Sequence, residues 1–454
     1  MNLARRIGSI AAGLVIGFGA PLASAIGGAA QPAPATLTIG IDNAPPTGHN
    51  WEFLDYFPNG GVNVHNGDTI HFKFNTASLD GFHTATVGKP GESLQSVVSN
   101  NPTLVPDSDT GDVAGQQQFT PAFFPTNPPA GSGAPGACGD VATPCSYDGT
   151  SYQSSGALFS GSPFGTEFYL KIQLGTTPNQ PTLVNYFCRV HGPAMSASFT
   201  IVPDATTSST QSDLDTAATS QYNASLAAGQ AATAAVSAAA TTTNSDGTHT
   251  VNIHAGTESP DGRVQVLEML PSSVSITAGD KVNWTALSRN DPHTVVFPSP
   301  PGAGFDPFPA VCEGASADTA DPTQDPSVCG GPQNFELHYK PGAIGPTAIA
   351  DATTQASSGV LDSGPPYSTG ATNFTFSFPN AGTFKYQCTI HDHMTGQVLA
   401  AAVPALPKAG APSSQPLTVP TSGSNGIGTV MLVLISVLAL MVGRGAMLFG
   451  RRRD

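Results

Sequence analysis

The chain has 454 residues, enough for two or three ordinary domains; only 10% of them are charged, whereas Gly (50) and Pro (41) are abundant. That mixture favours loop-rich β-domains and polar linkers over helical bundles. Residues 26–425 carry 10 Lys and Arg against 30 Asp and Glu, which argues against nucleic acid or an anionic surface as a partner.

The N-terminus opens with Arg5 and Arg6, an apolar run from Ile7 to Ala20 and the small residues Ala23-Ser24-Ala25. This pattern predicts a secretory signal peptide over residues 1–25. Thr36 to Ile41 then alternates as a strand and opens a first domain, 36–203. Val62 to His65, the turn Asn66-Gly67-Asp68 and Thr69 to Phe74 continue the period of two. His83 follows in Asp80-Gly81-Phe82-His83-Thr84-Ala85-Thr86-Val87. After a Pro/Gly-rich insertion comes Tyr186-Phe187-Cys188-Arg189-Val190-His191-Gly192-Pro193-Ala194-Met195.

Residues 204–247, rich in Ala, Thr and Ser, read as a linker with helical propensity over Leu214 to Ala240. A flexible linker would allow the flanking domains to stand apart. The second domain, 248–404, repeats the first. Thr250 to Ile253, Val274 to Thr277, the turn Ala278-Gly279-Asp280 and Lys281 to Trp284 are its strands, and Asp291-Pro292-His293-Thr294-Val295-Val296-Phe297 supplies a histidine. Tyr386-Gln387-Cys388-Thr389-Ile390-His391-Asp392-His393-Met394 completes it. A further echo lies in the insertions, where Ser154-Ser155-Gly156-Ala157-Leu158 matches Ser357-Ser358-Gly359-Val360-Leu361. Residues 405–425 read as a stalk. The apolar run Ile427 to Val442, with Arg444 and Arg451 to Arg453 behind it, predicts a transmembrane helix over 426–449, its basic end cytoplasmic. The expected location is therefore extracytoplasmic, with a C-terminal membrane anchor.

Six cysteines divide by position. In an oxidising compartment Cys138 with Cys145, and Cys312 with Cys329, are expected as local disulfides. A four-thiolate zinc site across domains has the wrong spacing. Cys188 and Cys388 stand instead in Cys-x2-His motifs followed by a methionine. A thiolate, two imidazoles and a thioether suit copper in a trigonal site with a long axial Met. The candidate ligands are His83, Cys188, His191 and Met195 in the first domain, and His293, Cys388, His391 and Met394 in the second. Zinc would leave the methionines without purpose.

A strand near Pro-His-Thr-Val followed by a Tyr-x-Cys strand and a Cys-x2-His-x2-Met loop resembles the cupredoxins, the blue copper proteins. The second loop is similar in spacing to amicyanin's. The resemblance implies an all-β fold: two tandem Greek-key β-sandwiches with long loop insertions, each holding one type 1 copper. It also implies one-electron transfer to a redox protein partner, with His191 or His391 reaching the surface as the electron's route. Many members carry Asn after the first histidine to tie the ligand loops together; here Thr84 and Thr294 stand in its place. Copper capture or sensing is a second class. An oxidase or nitrite reductase is a third, weakened because neither cysteine is flanked by His and His391-Asp392-His393 is the chain's one His-x-His pair. Oligomeric state does not follow from the sequence.

Overall fold

The computed structural model describes residues 33–403, apart from 80, 103, 107–116, 120–123, 237, 303–304, 306–309, 313–334, 338–341, 363 and 365–370. In the N-terminal half, the alternating strands Thr36–Ile41 and Thr69–Phe74 pair in parallel. They lie within a five-stranded sheet ordered Tyr56–Phe57, Thr36–Ile41, Thr69–Phe74, Glu167–Ile172, Cys145–Tyr147. A second sheet runs Gln153–Ser154, Thr86–Val87, Thr182–Cys188, Gly192–Ile201, Val62–Val64. Ile39, Phe72 and Leu170 from the first sheet and Val184, Tyr186 and Phe199 from the second share one core. Period-two patterning is thus satisfied by burying one face of each sheet against the other.

The C-terminal half repeats this arrangement. His249–Glu258 pairs in parallel with Lys281–Ala286, as Thr36–Ile41 does with Thr69–Phe74. The other sheet runs Ser273–Thr277, Thr395–Ala401, Gly382–Gln387, His293–Phe297, Ala356–Leu361. Trp284, Phe297, Phe376 and Tyr386 fill the core between them. The Ser-Ser-Gly echo has a structural counterpart. Ser155 Oγ accepts from Ala85 N at 2.8 Å, and Ser358 Oγ accepts from Val295 N at 2.9 Å. Each insertion therefore returns to clamp the backbone two residues beyond His83 or His293.

The expected architecture, all-β with two tandem Greek-key sandwiches joined by a linker and a C-terminal transmembrane helix, is corrected in three respects. The chain is mostly β-sheet but not all-β, for Gln211–Val236 is a 26-residue α-helix within the segment read as a linker. Its inner residues Ala218, Tyr222, Leu226 and Ala232 pack on Trp51, Phe53, Phe57, Val264 and Val266. Nor are the sandwiches separate. Trp51–Phe53 from the N-terminal half pairs antiparallel with Val264–Leu270 of the C-terminal half, so one sheet carries strands from both. A short strand needs a partner for its backbone groups, and Trp51–Phe53 finds it across the interface.

The third respect is the membrane helix. Among the described residues, no helix is long and apolar enough to cross a membrane. At about 1.5 Å per residue, Gln211–Val236 has sufficient length. It carries Asp213, Asp215 and several Gln and Asn side chains, however, which are costly to place in hydrocarbon. The extracytoplasmic, membrane-anchored location drawn from that helix is withdrawn with it. The signal peptide, the stalk and residues 426–449 lie outside the described residues. Cys138 and Cys145 form the expected disulfide; Cys329, the expected partner of Cys312, lies outside the described residues.

Candidate metal centres

Cys188 ends the strand Thr182–Cys188, and a register shift between Phe187 and Cys188 sets it opposite Gly192. Gly192 takes a positive φ of 62°, a conformation that costs glycine little, and the chain turns there between His191 and Met195, both of which are buried. His83 comes from the other side, fixed by paired backbone hydrogen bonds with Leu158 at 3.1 and 2.7 Å. Cys188 Sγ lies 3.9 Å from His83 Nδ1 and 3.6 Å from His191 Nδ1, and the two nitrogens are 3.1 Å apart. Donors bound at about 2.0–2.3 Å to one ion stand roughly 2.9–3.8 Å from each other for angles of 90–120°. The three atoms trace such a triangle closely.

The C-terminal half builds the same group. Cys388 Sγ is 3.7 Å from His391 Nδ1, and His293, Cys388 and His391 each offer a donor atom within 4.8 Å of the others. His293 turns Nε2 to Ser288 Oγ at 3.0 Å and leaves Nδ1 buried with no hydrogen-bond partner. Gly256 makes room for that ring: a Cβ there would stand 2.1 Å from His293 Nε2. Met394 donates its backbone N–H to His391 and accepts from Cys388, which closes the loop around the site. All eight expected ligand residues are at most 3% exposed.

These donors fit a thiophilic first-row ion such as copper. An imidazole nitrogen buried without a partner is costly unless something binds it, and thiolate with imidazole is the donor set such ions select. Burial pushes each thiol up, but the hydrogen bonds and charge of the neighbouring imidazoles prevail, so Cys188 and Cys388 sit well below the ordinary thiol value. The thiolate is the ligating form. Burial likewise lowers His83 and His391, yet their partners raise each to about 9. For His83 these are Asp42, Cys188 and Glu52; for His391 they are chiefly Cys388 and Asp291.

Thr84 and Thr294 each tie two ligand-bearing loops together. Thr84 N donates to Cys188 Sγ at 3.3 Å, while its Oγ1 accepts from Arg189 N at 2.9 Å. Thr294 does the same with Cys388 Sγ at 3.4 Å and Thr389 N at 2.8 Å. One hydroxyl is enough, because it accepts from the residue directly after the cysteine.

The outer faces of the rings overturn one expectation. His191 and His391 do not reach the surface, being 2% and 3% exposed. His191 Nε2 instead faces Glu52 Oε1 at 3.6 Å and Asp291 Oδ1, from the other half, at 3.3 Å. His83 Nε2 faces Asp42 Oδ2 and Glu52 Oε1, each at 3.3 Å. Burial first and then Asp291 raise Glu52 to about 8, against His191 and His83. Burial also raises Asp291, but His191, His391 and His293 bring it down to about 2. Sequence reasoning missed Asp42, Glu52, Ser288 and Gly256 altogether. Glu52 did leave a signal, as an acid inside the apolar run Trp51 to Phe57.

No protein-family model matches the chain, and no curated protein matches it. Among solved structures, similar chains are cupredoxins. A mutant amicyanin in its copper(I) form is 13% identical, covering 33% of this chain and 80% of its own, with a TM-score of 0.17. Oxidised plastocyanin from Dryopteris crassirhizoma is 18% identical, covering 33% and 99%, with a TM-score of 0.17. Amicyanin from Paracoccus versutus is 18% identical, covering 30% and 74%, with a TM-score of 0.13. Likenesses this slight carry no argument, and the reading below stands on the residues.

Proposed function

We propose that the chain is a copper-binding electron carrier rather than an enzyme, with one type 1 copper in each half. His83, Cys188, His191 and Met195 would hold the first, and His293, Cys388, His391 and Met394 would hold the second. The observation that carries this reading is the recurrence of one buried thiolate between two imidazoles, in two halves whose ligand-bearing sheets share one strand order. Copper supplies a one-electron couple when bound. The protein's part is to hold the donors on strands and clamped loops, so that a change of charge moves them little. Burial keeps water from the sulfur, and the Thr84 and Thr294 amides fix its position. The partner is a one-electron redox protein.

The test is spectroscopic. Copper(II)-loaded protein should show the intense blue absorption of a thiolate bound to copper(II), and should cycle reversibly by one electron per centre. Cys188→Ser and Cys388→Ser should each remove about half of that absorption, since one sulfur serves each site. Full colour in both single variants would refute the ligand assignment. Copper held permanently as copper(I) would replace electron transfer by capture.

A further inference from the structure

The interface between the halves contains a second kind of donor cluster. Glu52, His191 and Asp291 each offer an atom within 4.8 Å of the others, and all three are at most 3% exposed. Glu52 and His191 come from the N-terminal half and Asp291 from the C-terminal half. Glu52 Oε1 and Asp291 Oδ2 are both buried without a hydrogen-bond partner. Buried carboxylate oxygens in that condition are costly and call for a cation or a proton donor.

The spacing favours a cation. Charge-assisted hydrogen bonds between nitrogen and carboxylate close to about 2.7–2.9 Å. Here His191 Nε2 stands 3.3 Å from Asp291 Oδ1 and 3.6 Å from Glu52 Oε1. Those are the edges expected between donors bound at about 2.0–2.1 Å to a shared ion at angles near 110–120°. Asp42 differs. Its Oδ1 accepts from Phe53 N and Asn43 N, and its Oδ2 accepts from Ser78 Oγ and faces His83 Nε2. Asp42 is satisfied and serves to orient His83. Gly81 packs directly on these carboxylates, since a Cβ there would meet Asp42 Oδ2 at 2.5 Å and Glu52 Oε1 at 3.2 Å.

We propose that Glu52 Oε1, His191 Nε2 and Asp291 Oδ1 form a third metal site, for a divalent first-row cation such as zinc, held between the two halves. Imidazole and carboxylate together suit such ions, unlike the thiolate sites on either side. His191 would then bridge two metals, its Nδ1 toward Cys188 and its Nε2 toward the new ion. The cation takes the place of the Nε2 proton, which leaves to solvent. This bridging rests on the reading of His191 as a copper ligand, but the Glu52 and Asp291 contacts do not.

The experiment uses the full chain loaded with copper, its blue absorption and copper content measured first. Titration with zinc(II), followed by desalting and metal analysis, should show one further equivalent of zinc per chain with the copper count unchanged. Glu52→Gln and Asp291→Asn should each weaken that zinc binding at least about tenfold, the scale on which groups around a metal act. Absence of extra zinc in the parent protein overturns the proposal, as does equal binding by both variants; the carboxylates would then only orient the rings. Should both substitutions also abolish the blue colour, anomalous scattering at the zinc edge from crystals of the parent decides: an ion at Glu52 and Asp291 upholds the site, an ion elsewhere overturns it. Blue absorption reads the copper sites and the extra zinc reads this one, so either reading can fail alone.

Discussion

Gly256 shows how narrowly a single residue sets a ligand. It lies in the strand His249–Glu258, where the register shifts between Ala255 and Thr257, with a φ of 73°. Any side chain would be strained by that backbone and would also meet the His293 ring at 2.1 Å. The ring cannot retreat without abandoning Cys388. Gly256→Ala should therefore empty the C-terminal centre alone, removing about half of the blue absorption as judged against one sulfur per site. Copper content should fall to one per chain; retention of two would show that His293 moves freely.

The donors themselves were legible from residue type and spacing, because Cys-x2-His followed by Met is a local pattern that a loop can express. Gly256, Ser288 and Glu52 were not, since each acts through a contact with a residue 5 to about 140 positions away, made only when strands pair. The surface route through His191 and His391 failed for a related reason. Exposure belongs to the assembled halves, and no local pattern encodes it.

Among the elements, the helix Gln211–Val236 was legible only in part. Its alanines gave the propensity, but its few large apolar residues concealed that it has a partner. Packing against Trp51, Phe53 and Phe57 supplies what the pattern lacks, and the contact is close. A Cβ at Gly229 would stand 2.6 Å from Trp51 Cζ3. Trp51 is 1% exposed and has nowhere to turn. Gly229→Ala would gain about 1 kcal/mol in helix propensity, yet overpacking a filled contact costs about 1–3 kcal/mol. The expected outcome is net destabilisation in chemical unfolding, with the far-ultraviolet helix signal retained. A gain in stability would mean that the helix shifts to make room.

At the scale of the two halves, one sheet and one small core are shared between them. The duplication was readable as a repeat, whereas the strand Trp51–Phe53, which crosses between the copies, lies in a stretch with no counterpart quoted in the second. It hydrogen-bonds to Val264–Leu270, and its Trp51 sits under the long helix. Glu52, next in the chain, faces both N-terminal imidazoles while Asp291 reaches His191 from the opposite half. Removing the Trp51 side chain should thus weaken both halves at once. Trp51→Ala should cost about 3–5 kcal/mol, the usual penalty for emptying a large buried aromatic site. The single-cysteine variants make the claim testable, because Cys388→Ser leaves only the N-terminal centre coloured and Cys188→Ser only the C-terminal one. In each background, Trp51→Ala should lower the temperature at which the blue absorption bleaches by a similar amount. If it lowers one midpoint and spares the other, the halves unfold separately and the shared sheet does not couple them.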